Sequence, residues 1–237
     1  MLVVTPVRPR ILVNFAVSLD GKTNPAPGKR HGAFAMSRGK EDWRLMRELR
    51  ARADAILIGA TNQRVDDPGL SLSPDERERR RAAGQPLPAR IVVTRRGEGI
   101  RPDAKIFDRS IGGPTYVVHT EDMTEANRAQ LAPVATLVEM GAAAVPMAGL
   151  LTWMRKTVGA QVVMCEGGGD LVAQLFAARA VDELYVTVVP RILGGITAPT
   201  LVGGAGFDID EIPHASLTSV ERIGDELYLR YDFSWSS

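Results

Sequence analysis

Apolar residues along this chain fall into short blocks of two kinds. Ile11–Val17 is a near-continuous apolar run rich in β-branched residues, the mark of a strand buried on both faces. Ala55–Ile58, Ile91–Thr94, Thr115–His119, Gln161–Cys165 and Leu184–Val189 repeat that pattern in shorter form. Between them the period changes. Trp43, Met46, Leu49 and Ala53 follow a 3-3-4 spacing and make one apolar face of a helix predicted over Lys40–Ala53. Further helices are predicted over Pro74–Gly84, Leu150–Thr157 and Gly167–Ala178. Ser216–Ile223 and Glu226–Phe233 flank Gly224 and Asp225 and read as a terminal antiparallel hairpin. Strands alternating with helices, closed by two strands, predict an α/β domain with a mostly parallel sheet and an antiparallel edge. Leu19–Met36, rich in Gly, Pro and Asn, reads as a long loop, and in compact domains such loops are usually functional or disordered.

No linker or internal repeat divides the 237 residues, so a single domain over residues 1–237 is expected, with residues 1–9 as an extended arm. A formal net charge of +1 offers no global field for nucleic acid or an acidic membrane. The apolar start is broken by Pro6 and Pro9, and no apolar stretch approaches the roughly 20 residues of a membrane span. A single cysteine, Cys165, excludes an intramolecular disulfide framework and a multi-cysteine zinc site. That fits a reducing cytosol, and a cytoplasmic location is expected.

Candidate chemistry gathers at strand ends. Glu166-Gly167-Gly168-Gly169-Asp170-Leu171 follows a predicted strand and opens a predicted helix. The first N–H groups of a helix lack intrahelical acceptors and lie at the positive end of its dipole, which suits an anion. Glycines let a phosphate approach without a Cβ in the way. The same residues also make an ordinary tight turn, and Asp170 suits a helix start while repelling a phosphate held very close. Gly59-Ala60-Thr61-Asn62-Gln63 reads as a small polar loop after its strand, and Asp66-Asp67-Pro68 as an Asx-type turn. No His or Cys accompanies these aspartates, which disfavours a metal there. Thr94-Arg95-Arg96-Gly97 ends a third strand, where its guanidiniums either hold a phosphate monoester or lie solvated. The arginine run within Pro74–Gly84 reads as a solvated face. His31, His119 and His214 show no ligand spacing, and Cys165 reads as a small core residue.

Taken in order, these segments resemble one family. Asn14-Phe15-Ala16-Val17-Ser18-Leu19-Asp20-Gly21-Lys22, Asp54–Gly59, Asp66-Asp67-Pro68-Gly69-Leu70, Arg90–Val93, Glu166–Gly169, Val181–Leu184, Leu193-Gly194-Gly195 and Ala198–Phe207 follow one another along the chain. The series resembles the pyrimidine reductase of riboflavin biosynthesis, the reductase half of the bifunctional deaminase–reductase, and looks most like its stand-alone, archaeal-type form. The resemblance implies a dihydrofolate-reductase-like three-layer fold, NADPH as hydride donor and a homodimer. It also implies reduction of the ribosyl group of 5-amino-6-(5-phosphoribosylamino)uracil to ribityl. The zinc-bearing deaminase half has no counterpart in the sequence.

Carried over residue by residue, the implied cofactor contacts are Ala16, Thr61, Asn62, Asp66, Thr94 and Arg95. The turn Gly167, Gly168, Gly169, Asp170, Leu171 and Val172 joins them. Asn14, Arg50, Leu70 and Glu166 are the implied substrate contacts, with Asp66 and Glu166 the candidates for acid–base work. The chain departs from the family pattern at Thr61-Asn62, Thr94-Arg95 and Asp170. It also departs at Ser73, where an arginine is usual, and at Phe34, where a tryptophan is usual. A related NADPH reductase acting on a pterin or dihydrofolate-like substrate, and a non-catalytic NADPH-binding protein, are the competing readings.

Overall fold

The computed structural model describes residues 8–28, 37 and 40–235. His31 and Phe34, and most of the expected N-terminal arm and long loop, lie outside them. Nine strands form one sheet in the order β5-β4-β3-β2-β6-β1-β7-β9-β8. They are β1 (Arg10–Ser18), β2 (Ala55–Gly59), β3 (Ala89–Val93), β4 (Thr115–His119), β5 (Thr136–Glu139), β6 (Val162–Cys165), β7 (Val181–Val189), β8 (Ala215–Ile223) and β9 (Glu226–Phe233). β1 to β7 pair in parallel, while β9 and β8 add on as the expected antiparallel hairpin. β1, β2 and β3 are buried almost throughout, as continuous apolar runs demand.

Helices cover both faces, giving three layers. One core joins the sheet to α5 (Met147–Lys156) and α6 (Gly169–Ala177) through Leu150, Met154, Val172 and Leu175. The other joins it to α1 (Glu41–Arg52), α2 (Ala60–Asp66) and α4 (Glu125–Leu131) through Met46, Leu49, Ala60 and Leu131. α3 (Pro74–Ala82) lies outside these. Of the face expected on α1, Met46, Leu49 and Ala53 are buried, but Trp43 is half exposed. No described helix is long and apolar enough to cross a membrane.

Several elements differ from the sequence reading. Thr61–Gln63, read as loop, belongs to α2, whose seven residues are too few to show a helical period. Asp67 caps α2 in the left-handed region (φ 46°) and accepts from Lys105 N at 3.1 Å. α4 and β5 were not foreseen, because β5 is a short edge strand without a buried face. The arginine run on α3 is not wholly solvated. Arg80 is buried and donates to the carbonyls of Ala51, Ala53 and Pro86, each at 2.8 Å. Those carbonyls at the end of α1 would otherwise lack donors.

The hairpin is tied to the parallel sheet by a buried carboxylate. Glu183 on β7 is fully buried and meets Arg10 at 2.7 Å, with Arg52 and Arg230 each at 3.2 Å. Burial alone would raise its pKa. The Tyr185 hydroxyl, 2.5 Å away, and the three guanidiniums more than offset that and hold it below the usual carboxylate range. A carboxyl with a depressed folded pKa contributes stability above its unfolded pKa and loses it as pH falls through the folded one. Glu183→Gln is therefore expected to cost about 2–4 kcal/mol at neutral pH, below the full effect of breaking a buried pair because the arginines are partly exposed. Urea denaturation should show the gap to wild type closing at pH values below about 4.5, the ordinary glutamate value.

Candidate active site

The carboxyl ends of the parallel strands open on one large cleft of about 1590 Å³. Its position follows from the topology. β2 and β6 are neighbours, yet β2 runs into α2 on one face of the sheet and β6 into α6 on the other. Chains diverging to opposite faces leave a crevice beyond the strand ends. The two turns nearly touch there. Gly59 N donates to Gly167 O at 2.7 Å, and a Cβ on Gly59 would lie 3.3 Å from Gly168 N. Gly167 has φ 102°, and a Cβ there would lie 2.6 Å from Asn62 Nδ2 and 3.0 Å from Phe15 Cζ. The Gly167–Gly168 peptide is cis.

Beyond this crossing, α6 begins at Gly169 with its amino end on the cleft. The run Thr200–Gly203 wraps the helix start, with Gly203 N donating to Gly169 O at 3.0 Å. A Cβ on Gly169 would lie 2.9 Å from Thr200 O. The result is a backbone-lined hollow at a helix N-terminus, which fits the diphosphate of a dinucleotide. Asp170, an exposed residue, also lines it, and its Oδ1 would lie 2.6 Å from a Cβ on Gly203. The Ala198–Phe207 run was noted in the sequence without a role, and its glycines and Thr200 are the signal that could have supplied one. Its approach is held from the other side. Asp20 accepts from Leu193 N, Gly194 N and the Ser18 hydroxyl, which hold its pKa down at about 2, the Ser18 bond foremost.

Arg50 and Glu166, expected as separate substrate contacts, are paired with each other. Nε and Nη2 of Arg50 donate to the two Glu166 oxygens at 2.5 and 2.7 Å, and Nη1 donates to Ser71 O at 3.0 Å. Burial works against the Arg50 charge, but the Glu166 carboxylate outweighs it and raises the guanidinium pKa. The pair clamps α1 to the end of β6 and to the segment after α2, so Arg50 is not a free phosphate ligand. Asn14 lies on the cleft wall, buried, and its Oδ1 has no hydrogen-bond partner among the described residues. Such an oxygen costs on the order of 1–3 kcal/mol unless a ligand or water donates to it.

Ala16, Thr61, Asn62 and Asp66 also line the cleft, as do Thr94, Arg95 and Arg96 at the end of β3. Thr94 Oγ1 is engaged in its own turn, accepting from Gly97 N at 3.0 Å. Arg95 donates through Nε and Nη2 to Asp122, at 2.6 and 2.5 Å. Arg96 shares that wall, with Glu98 3.7 Å away. Three expected contacts do not reach the cleft surface. Leu70 (φ 51°) and Val172 point into the two cores, and Gly167 is covered by Asn62 and Phe15. Trp43, Lys105 and the fully exposed Ile196 line the cleft unforeseen. Cys165 is buried, and that pushes its thiol up to about 12, so it plays no nucleophilic part.

Comparison with known proteins agrees with this architecture. A protein of Archaeoglobus fulgidus named 2,5-diamino-6-ribosylamino-4(3H)-pyrimidinone 5′-phosphate reductase is 31% identical over 224 residues, covering 92% of this chain and 95% of its own. A protein of the same name from Methanothermobacter thermautotrophicus is 32% identical over 228 residues, covering 95% and 98%. The crystal structure of a pyrimidine reductase-like protein from Corynebacterium diphtheriae superposes with a TM-score of 0.78 at 19% identity, over 96% of this chain and 93% of that one. The likeness in structure shows a shared fold. The family model described as the RibD C-terminal domain matches residues 9–229, and the chain belongs to that family.

Proposed function

We propose that this chain is an NADPH-dependent reductase that converts the ribosyl side chain of 2,5-diamino-6-ribosylamino-4(3H)-pyrimidinone 5′-phosphate to ribityl in riboflavin biosynthesis. The observation that carries the reading is end-to-end similarity to two archaeal proteins named for this activity. Their names specify the diaminopyrimidinone, which replaces the uracil implied by the sequence resemblance. One reductase domain is proposed for the whole chain, acting in the cytoplasm.

Reduction breaks the C1′–O4′ bond of the ribosyl group, adds a hydride to C1′ and leaves a proton on O4′. NADPH, when bound, supplies the hydride. The backbone at Gly168–Leu171 holds its diphosphate, and Arg95, beside Thr94 and Arg96, takes its 2′-phosphate. Ala16, Thr61 and Asn62 wall the dinucleotide between the two turns. Asn14 and Glu166 receive hydrogen bonds from the pyrimidine and ribose. Glu166, held in two bonds by Arg50, is an acceptor rather than an acid, with Arg50 positioning it. Asp66, the last residue of α2 and on the cleft wall, is left as the side chain for proton delivery.

A second copy of the chain fits the face of the hairpin that α6 leaves bare. Leu217 and Val220 on β8 stand opposite Tyr231 and Leu229 on β9, on one side of the sheet. Leu217, Val220 and Leu227 are 52%, 56% and 38% exposed. An apolar sheet face at an edge strand is a surface that proteins normally cover. Light scattering at micromolar concentration should give a dimer mass, and Val220→Glu a monomer. A monomeric wild type removes this part of the proposal.

The reaction is tested by NADPH oxidation with the diaminopyrimidinone phosphate against dihydrofolate. Turnover on the first alone is expected, and turnover on dihydrofolate alone overturns the reading. Within it, Arg95→Ala should weaken NADPH binding by about 1.5–3 kcal/mol and leave NADH unchanged, since the two differ by the phosphate alone. Equal losses for both cofactors would show that Arg95 acts elsewhere.

Gly168→Val is expected to weaken NADPH binding at least tenfold, about 1.4 kcal/mol. Its Cβ would lie 3.0 Å from Asn62 Oδ1, so the protein itself resists the change. The same substitution in an Asn62→Ala background removes that clash. A loss of affinity that persists there identifies the cofactor as the obstructed group.

A further inference from the structure

The reaction proposed above brings two phosphate monoesters to one cleft, the 2′-phosphate of NADPH and the 5′-phosphate of the substrate. A monoester dianion held by protein needs cationic donors near it. The described residues place five cationic side chains on the cleft wall: Arg50, Arg64, Arg95, Arg96 and Lys105. Arg50 is committed to Glu166 and Ser71. The other arginines cluster at the end of β3. Arg95 and Arg96 share the acids Asp122 and Glu98, and Arg64 donates to Glu98 O at 2.8 Å and to the Thr61 hydroxyl at 3.2 Å. That end is the cofactor's station.

Lys105 stands apart from it. No carboxylate pairs with its ammonium among the described residues, while its backbone is firmly held. Its amide donates to Asp67 Oδ1 at 3.1 Å, and its neighbours Ala104, Ile106 and Phe107 are buried. The charge of Asp67 is met by Arg101 at 3.5 Å, so it does not cancel that of Lys105. The Cβ of Lys105 lies beside Gly69. A Cβ on Gly69 would lie 3.8 Å from Lys105 Cβ and 3.1 Å from Ile111 Cδ1. Gly69 and Ser71 both line the cleft, and the carbonyl of Ser71 is the one that Arg50 grips. Segment 69–71 is thus flanked by Lys105 at one end and by the Arg50–Glu166 pair at the other.

We infer that Lys105 is the cation for the substrate's 5′-phosphate, held over segment 69–71, while Glu166 holds the ribosyl-pyrimidine end of the same molecule. The inference rests on the proposed reaction. An ammonium with three donors, on a flexible stem rooted in a held backbone, suits a phosphate monoester as a point charge. The contact is made alike in ground and transition states, so its loss raises KM and leaves kcat standing.

The test compares wild type, Lys105→Gln and Lys105→Arg. For Lys105→Gln, KM for the phosphorylated substrate should rise tenfold or more with kcat within twofold. KM for the dephosphorylated nucleoside and Kd for NADPH should not change, and Lys105→Arg should recover most of the loss. Ribose 5-phosphate titrated calorimetrically should bind the wild type and Lys105→Arg, and lose at least tenfold in affinity in Lys105→Gln. An unchanged KM, or a loss that falls on NADPH instead, overturns the inference while the reaction stands. Wild type that binds ribose 5-phosphate through Lys105 but never turns over the pyrimidinone overturns the reaction while the phosphate site stands. If ribose 5-phosphate binds wild type and Lys105→Gln alike, the phosphate is held elsewhere and the inference fails.

Discussion

The close passage of two strand-to-helix turns at the middle of the sheet is the constraint on which the site depends. Gly59 and Gly167–Gly168 approach until backbone meets backbone, with a 2.7 Å hydrogen bond between them. Side chains at these positions would force the turns apart, because a Cβ on Gly59 meets a backbone amide and one on Gly167 meets Asn62 and Phe15. Backbone cannot be moved aside as the end of a flexible side chain can. The crossing therefore sets how near α2 and α6 come, and with that the width of the crevice. Asn14, Asn62, Glu166 and Asp170 all take their places from it.

A second constraint lies one residue before the turn. Glu166 leaves β6 at the edge of the crossing and meets an arginine carried by α1 on the opposite face of the sheet. A nearly buried carboxylate without that partner would be costly, and a nearly buried guanidinium without the carboxylate equally so. The pair joins three separate stretches of chain, since Arg50 also grips the Ser71 carbonyl. Its value to the site is positional. It holds two acceptor oxygens at the cleft wall in a fixed orientation, where a solvated glutamate would sample several rotamers.

The hairpin follows a different logic. One of its faces carries charged and hydroxylic side chains gathered round Glu183, and the other carries aliphatic residues that no described helix covers over β8. The caged carboxylate fastens the hairpin to β1 and β7 from the first of these faces. The site and the proposed interface thus draw on different parts of the same sheet: the carboxyl ends of its parallel strands, and one face of its antiparallel edge.

What the sequence determined by itself was local. Continuous apolar runs marked the buried strands, a 3-3-4 spacing marked α1, and the Gly-rich run was legible as a strand-to-helix turn before any strand order was known. The closing hairpin was legible from two runs around Gly224 and Asp225. These follow from side-chain period and backbone freedom, which act over a few residues. Short elements such as α2 and β5 left no such trace, because seven and four residues carry too little period. The tertiary structure alone decided the rest. Arg50 and Glu166 lie 116 residues apart, and only the insertion of β6 between β1 and β2 brings them together. The same order turned Leu70 and Val172 into core and brought Trp43, Lys105 and Thr200 to the cleft. Sheet order arises from the packing of all the strands at once, so no local pattern encodes which distant side chains will share a wall.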